Sequence, residues 1–130
     1  MFLKTIYTNK KYYFMKYILI IGAKSDLAKN IADIYASEGY SLYLTGRNIK
    51  SLSEFSATLT DKYDIDVKLI ELDLNQFNTH EKFLKQMETL PIGIICASGY
   101  YPNQLKAQND KIEMSSSVVA NFTGPVSIVN

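Results

Sequence analysis

The sequence has 130 residues, 47% of them hydrophobic and 21% charged, with a formal net charge of +1. This composition is typical of one soluble globular domain and excludes disordered and collagen-like chains. Lysines and Gly22 interrupt the apolar runs before they reach the roughly 20 residues of a membrane helix, so no membrane span is predicted. The single cysteine excludes an internal disulfide framework and a multi-cysteine metal site, and it favours a reducing, cytoplasmic compartment.

Residues 1–14, "MFLKTIYTNKKYYF", are basic and rich in tyrosine. They lack the continuous apolar region and the small-residue cleavage site of a secretory signal. A nucleic-acid-binding arm is an alternative interpretation, but scattered lysines without a helical stripe are common in solvated tails, and no nucleic-acid partner is predicted. We therefore predict a disordered extension over residues 1–14, with Met15 as an alternative start, and a folded domain over residues 15–130.

Four apolar runs alternate with segments of helical periodicity, which predicts βαβ units on a parallel sheet. The predicted strands cover residues 17–21, 41–45, 67–72 and 92–97, and the first and fourth runs are apolar at successive positions, as in strands buried on both faces. Right-handed crossovers give the strand order 3-2-1-4 of a Rossmann-like three-layer fold. A ligand crevice is expected where the order reverses, between residues 22–26 and 97–100.

Helical spacing predicts three helices between the strands and a fourth that starts at Asp110 with a capping box to Glu113. The predicted buried stripes are Leu27, Ile31, Ile34 and Tyr35 in the first helix, Leu52, Phe55 and Leu59 in the second, and Phe83, Leu84, Met87 and Leu90 in the third. His80 is expected at a helix start, exposed and far from the crevice, and Cys96 as a buried strand residue rather than a nucleophile.

The segment "GAKSDLA", residues 22–28, follows the first strand with one glycine and a predicted helix start near Ser25. Such a helix start directs free backbone N–H groups and a positive dipole end at a phosphate. The carboxylate of Asp26 would either repel a pyrophosphate or cap the helix while pointing away. Alone, the segment is compatible both with a phosphate-binding turn and with a plain βα connection.

The second predicted strand ends in "LTGRN", which places Arg47 where dinucleotide-binding folds meet the adenosine ribose. An acidic residue there would bind the ribose hydroxyls of NAD, whereas an arginine accommodates the 2′-phosphate of NADP. Arg47 therefore favours NADP(H) over NAD(H). Lys24 and Asn48 are candidates to assist, and their alternative role is that of exposed turn residues.

Five motifs in order, "GAKSDLA", "TGR" (45–47), "LDL" (72–74), "CASG" (96–99) and "NFTG" (121–124), resemble the cofactor-binding half of the short-chain dehydrogenase/reductase family. The resemblance covers residues 15–130. It implies that Gly22, Ser25, Asp26 and Leu27 form the phosphate-facing turn, that Asp73 and Leu74 flank the adenine, that Ala97, Ser98 and Gly99 lie beside the cofactor, and that Asn121 holds a water in the proton relay.

The family's catalysis uses a serine and a Tyr-x-x-x-Lys pair beyond the asparagine, and we predict that these 130 residues contain none of the three. Tyr7 with Lys11 and Tyr12 with Lys16 have the spacing but precede the first strand. The resemblance thus implies the N-terminal, incomplete part of an NADP-dependent oxidoreductase of carbonyls or alcohols, inactive alone and homo-oligomeric when complete.

Two alternatives remain open from the sequence: a non-catalytic dinucleotide-binding or sensing module, and a structural α/β domain without a ligand. The segments "CASGYYPNQ" and "NFTGPVS" are also similar to a branch of the family that reduces keto-sugars carried on polyprenyl phosphates. An incomplete sheet would leave its fourth strand as an apolar edge, which predicts aggregation or pairing with another chain.

Overall fold

The computed structural model describes residues 15–98 and Ile128. Its elements are β1 (Tyr17–Ile21), α1 (Asp26–Ser37), β2 (Ser41–Gly46), a 3₁₀ helix (Ile49–Leu52) that runs into α2 (Ser53–Tyr63), β3 (Val67–Glu71), a second 3₁₀ helix (Phe77–Thr79) before α3 (His80–Lys85), and β4 (Gly93–Cys96). Two predicted segments lie outside the described residues: the extension over residues 1–14 and the helix that starts at Asp110. The candidate site residues Gly99 and Asn121 lie outside them as well.

The four strands form one parallel sheet in the order β3-β2-β1-β4. Ile20 in β1 pairs with Leu44 on one side and with Ile95 on the other. This arrangement confirms the predicted strand order and the Rossmann-like fold. Right-handed crossovers from a central first strand account for this order. β1 is buried throughout, as expected for a strand covered on both faces.

β4 differs from the prediction of a strand buried on both faces. It lies at the edge of the described sheet and its residues alternate between half-buried and exposed. Cys96 is exposed, so its predicted burial is wrong; its Sγ lies 3.3 Å from the Ser98 hydroxyl. An edge strand has a neighbour on one side only, which explains the partial exposure of an apolar run.

Two hydrophobic layers cover the sheet, because successive strand residues point to opposite faces. One layer packs Ile18, Ile20, Leu42 and Leu44 against α1 and α2, and the other packs Leu19, Ile21 and Tyr43 against Phe83, Met87 and Ile128. The described residues thus make the predicted helix–sheet–helix sandwich. Within them, no helix is both long and apolar enough to cross a bilayer.

The amino end of the sheet is closed by two buried tyrosines. The rings of Tyr17 and Tyr43 stack with centroids 4.3 Å apart. The Tyr17 hydroxyl donates to the Asp66 carboxylate, and the Tyr43 hydroxyl donates to the Thr89 carbonyl at 2.8 Å. Burial, reinforced by the bond to Asp66, raises the pKa of Tyr17 well above its usual value. This cluster anchors β1 to β2 and β3 at the end of the strands away from the predicted crevice.

α1 faces the sheet with a row of alanines rather than with the predicted stripe. Ala28, Ala32 and Ala36 are buried, whereas Leu27 is 67% and Ile34 61% exposed. Small side chains at spacing i, i+4 form one face and allow the helix to approach the sheet closely. The larger residues Ile31 and Tyr35 pack at the margin of this face.

The second and third predicted stripes are confirmed in part. Leu52 and Leu59 are buried, and Phe55 packs against the same layer. Phe83 and Met87 are buried, but Leu84 and Leu90 are exposed. α3 ends at Lys85, so the helical spacing that joined these four residues does not continue to Leu90.

The alanine face of α1 yields a stability prediction. Ala32→Leu is expected to lower the free energy of unfolding by about 1–3 kcal/mol, because the added carbons enter a closely packed layer. Ile34→Ala, on the exposed face of the same helix, is expected to change it by less than about 0.5 kcal/mol. Urea unfolding of both variants measures the difference, and the reverse order of effects would contradict the observed helix orientation.

Candidate functional site

The turn after β1 is anchored to β2 and pressed against the end of β4. The N–H groups of Gly22 and Ala23 both donate to the Thr45 carbonyl, at 3.0 and 2.9 Å. Gly22 has φ +80, and a Cβ placed on it would lie 2.6 Å from the backbone N and Cα of Ser98. Only glycine satisfies both the dihedral angle and the contact. The turn and the segment after β4 therefore meet at this residue.

α1 begins immediately after this turn, as predicted. Ser25 is its N-cap, and the Ser25 hydroxyl accepts a hydrogen bond from the Ala28 N–H at 3.1 Å. Ser25 rather than Asp26 thus caps the helix. Among the described residues, no backbone carbonyl accepts from the N–H groups of Ser25, Asp26 or Leu27. Free N–H groups at the positive end of a helix form a site suited to an anion.

The chain leaves β2 through Arg47, whose side chain is exposed. Lys24, from the first turn, donates from its Nζ to the Arg47 carbonyl at 3.1 Å. Asn48 adopts the left-handed conformation with φ 50, and its N–H and that of Ile49 donate to the Glu71 carboxylate. The loop that carries Arg47 is therefore bonded to the ends of both β1 and β3.

The chain leaves β3 through a tight turn at Asp73. The Asp73 Oδ1 accepts from the Asn75 N–H at 3.0 Å, an Asx-type turn. His80 begins α3, as predicted, but it is 3% exposed, and its Nε2 lies 3.4 Å from the Asp73 carbonyl. The prediction of an exposed His80 far from the crevice is wrong. The imidazole packs against the Phe77 ring, beneath the turn rather than at a solvated helix end.

These segments enclose a cleft of about 330 Å³ at the carboxyl end of the sheet. Of the predicted residues, Gly22, Lys24, Ser25, Arg47, Asp73, Leu74, Ala97 and Ser98 line it. Asp26, Leu27 and Asn48 are not among the lining residues, and Gly99 and Asn121 lie outside the described part of the chain. The cleft occupies the point where the strand order reverses, as predicted.

Four further lining residues were not predicted: Ile21, Gly46, Leu72 and Asn75. Ile21, Gly46 and Leu72 end or directly follow strands that were predicted, so their position at the same edge could have indicated them. Asn75 carries a weaker signal, since a polar residue two positions after Asp73 is common in any turn. Its place in the cleft follows from the Asx-type turn.

A parallel sheet of this order, with a cleft at its reversal point and a capped helix start beside it, defines a Rossmann-like α/β domain with a candidate ligand-binding cleft. Residues 16–130 match the family model for short chain dehydrogenases, and the chain belongs to this family.

Curated relatives match the chain over part of its length. The very-long-chain 3-oxoacyl-CoA reductase-A of Danio rerio is 29% identical over 80 residues, covering 62% of this chain and 25% of the relative. An uncharacterized oxidoreductase of Mycobacterium tuberculosis is 39% identical over 69 residues, covering 52% of this chain and 26% of the relative. The matches thus span about a quarter of the length of these curated relatives.

Solved structures share the fold over most of the chain. A short-chain dehydrogenase/reductase from Vibrio parahaemolyticus superposes with a TM-score of 0.68 at 26% identity, covering 86% of this chain and 49% of that one. A short-chain dehydrogenase from Sphingobium yanoikuyae in complex with NADPH superposes with a TM-score of 0.74 at 23% identity, covering 88% and 46%. An alcohol dehydrogenase from Thermococcus sibiricus complexed with 5-hydroxy-NADP has a TM-score of 0.75 at 23% identity, covering 88% and 50%.

Proposed function

We propose that this chain is the cofactor-binding portion of an NADP-dependent short-chain oxidoreductase, which transfers hydride between nicotinamide and a carbonyl or alcohol carbon. The observation that carries the proposal is the cleft, in which the glycine turn, the start of α1, Arg47 and the Asp73 turn converge. Membership of the short chain dehydrogenase family supports it. The NADPH and 5-hydroxy-NADP complexes of two proteins with the same fold support the choice of cofactor.

The start of α1 is the proposed pyrophosphate site. The backbone N–H groups there are free of backbone partners within the described residues, and Gly22 brings the chain close to the cleft without a side chain. Asp26 does not line the cleft, so its carboxylate need not oppose the phosphates. The turn therefore fits a pyrophosphate even though only its first fingerprint glycine is present.

The end of β2 is the proposed 2′-phosphate site. Arg47 lines the cleft with an exposed side chain, and no carboxylate of the described residues forms an ion pair with it. A guanidinium binds a phosphate through paired, charge-assisted hydrogen bonds. Asp73 and Leu74, which follow the neighbouring strand β3 and also line the cleft, are proposed to flank the adenine, as the family resemblance implies.

NADPH would supply the hydride when bound. The residues that line the cleft bind and orient the cofactor. The lysine, the arginine and the helix start bind anionic groups, while the apolar Leu72, Leu74 and Ala97 exclude water from the cleft walls. The relative named as a very-long-chain 3-oxoacyl-CoA reductase supports a small-molecule carbonyl or alcohol as the substrate. We further propose a cytoplasmic location, homo-oligomeric assembly of the complete enzyme, and membership of the branch that reduces keto-sugars carried on polyprenyl phosphates. The motifs that resemble this branch lie mainly outside the described residues.

The test is titration of the purified chain with NADPH and with NADH, followed by nicotinamide fluorescence and thermal stabilisation. NADPH is expected to bind more tightly than NADH. No carbonyl reduction is expected, since we predict that these 130 residues contain neither the catalytic serine nor the catalytic Tyr-x-x-x-Lys pair. A folded chain that binds neither cofactor would favour a structural α/β domain. Tighter binding of NADH would contradict the role of Arg47.

Binding without turnover also fits the alternative, a non-catalytic dinucleotide-binding module. The two are separated by the genomic reading frame. Continuation past Asn130 into a Tyr-x-x-x-Lys sequence supports the enzyme, and a frame without it supports the module.

A further inference from the structure

Glu71, the last residue of β3, holds the loop that carries Arg47 by both of its carboxylate oxygens. Its Oε1 accepts from the Asn48 N–H at 2.6 Å and its Oε2 accepts from the Ile49 N–H at 2.9 Å. Charge-assisted pairs of this kind are shorter and stronger than neutral hydrogen bonds. The carboxylate thereby occupies two donors at the start of the 3₁₀ helix, where no side chain of the N-cap residue does so.

The bond from Glu71 completes a set of contacts around the Arg47 backbone. The Gly46 carbonyl accepts from the Leu72 N–H at 3.0 Å, and the Arg47 carbonyl accepts from the Lys24 Nζ at 3.1 Å. Asn48 is left-handed, a conformation that asparagine adopts more readily than most residues other than glycine. Ile49, the next residue, is buried and fixes the far side of the loop. The Arg47 side chain therefore projects from a backbone fixed on both sides.

We infer that Glu71 is a positioning residue for cofactor specificity: by clamping Asn48 and Ile49 it holds Arg47 in place for the 2′-phosphate that distinguishes NADP(H) from NAD(H). This inference rests on the proposed function. Binding by a side chain whose backbone is already ordered avoids the entropic cost of ordering it at the moment of binding. Loss of the Glu71 hydrogen bonds is therefore expected to weaken the binding of NADPH but not that of NADH, which lacks the 2′-phosphate.

The sign of the effect separates the clamp from simple charge repulsion. A glutamate near a phosphate-binding arginine would by its charge alone weaken NADPH binding, so its removal would tighten it. If Glu71 holds Arg47 in place, removal of its carboxylate weakens NADPH binding instead. In Glu71→Gln, the amide nitrogen faces a backbone donor and one of the two bonds is lost. Glu71→Asp keeps the charge on a shorter side chain, which cannot reach both donors at once.

The experiment compares the dissociation constants of NADPH and NADH for the chain and for Glu71→Gln, Glu71→Asp and Glu88→Gln. Glu71→Gln is expected to weaken NADPH binding about tenfold and leave NADH binding within about twofold. Glu71→Asp is expected to fall between the chain and Glu71→Gln. Glu88→Gln, which removes the same charge from an exposed side chain near Lys68 in the amino-terminal half of β3, is expected to change neither constant.

The dependence of the Glu71→Gln effect on Arg47 distinguishes a positioning role of Glu71 from a structural one. In an Arg47→Ala background, Glu71→Gln is expected to have no further effect on NADPH binding, since the group that it positions is gone. Partial unfolding would lower the binding of both cofactors equally and leave their ratio unchanged.

The outcomes separate the inference from the proposed function. If the unaltered chain prefers NADPH and Glu71→Gln shows an equal or greater preference, the inference is overturned and the proposed function still holds. An equal loss of NADPH binding with and without Arg47 would also overturn the inference. A chain that binds neither cofactor, or prefers NADH, would overturn the proposed function and the inference with it.

Discussion

Replacing Arg47 by alanine is expected to weaken NADPH binding by about tenfold to a hundredfold and to leave NADH binding nearly unchanged. The guanidinium is exposed and lines the cleft, and a hydrogen bond to a charged group contributes about 1.5–3 kcal/mol, which corresponds to about tenfold to a hundredfold in affinity. NADH has no 2′-phosphate and so loses little. Fluorescence titration of both cofactors against the variant and the unaltered chain measures the change.

Lys50→Ala is the matched control for this prediction. Lys50 carries the same charge three residues further along the chain, on the exposed side of the 3₁₀ helix, and does not line the cleft. Equal losses of NADPH affinity in the two variants would point to the general positive field of the loop rather than to a phosphate contact at Arg47. An unchanged affinity in Arg47→Ala would remove the basis for preferring NADP(H).

Gly22→Ala is expected to lower the free energy of unfolding by about 3 kcal/mol and to abolish cofactor binding. The left-handed dihedral angle costs a residue with a Cβ about 1–2 kcal/mol, and overpacking adds about 1–3 kcal/mol. The methyl group would meet the N and Cα of Ser98, which are backbone atoms and cannot rotate away. The segment after β4 must therefore shift from the turn, and the cleft between them changes shape.

Gly39→Ala separates the two causes. Gly39 follows α1 with φ +89, but a Cβ there would meet no atom within 4 Å. Its replacement is expected to cost only the dihedral strain, about 1 kcal/mol, with cofactor binding retained. Urea unfolding of both variants, with NADPH titration of the folded fraction, tests the pair. Equal destabilisation would mean that the contact with Ser98 contributes nothing.

The residues that local patterns mark were placed correctly by sequence reasoning. The apolar runs gave the strands within one residue of their ends, and chirality gave their order. The helix start near Ser25 was predicted from the turn after the first strand, although Asp26 rather than Ser25 was considered as its cap, and the place of Arg47 followed from the end of β2. Both lie in the cleft because parallel strands bring their carboxyl ends to one edge.

The errors concern faces, burial and the length of α3 rather than the order or type of the elements. The larger apolar residues of α1 were expected to face the sheet, whereas the alanines do. A single histidine in a polar stretch was expected to be exposed, whereas His80 packs beneath the Asp73 turn. Hydrophobicity alone ranks large side chains above small ones, but the distance between helix and sheet decides which of them fit.

The sequence by itself determined the parallel sheet, its order, the turn at Gly22 and the basic residue after β2, because each depends on neighbours in the chain or on chirality. Only the tertiary structure decided that Ser98 closes on Gly22, that Lys24 reaches the Arg47 carbonyl and that Glu71 clamps the following loop. These contacts join residues more than 20 positions apart. No local pattern encodes them, since they arise only when the strand ends meet.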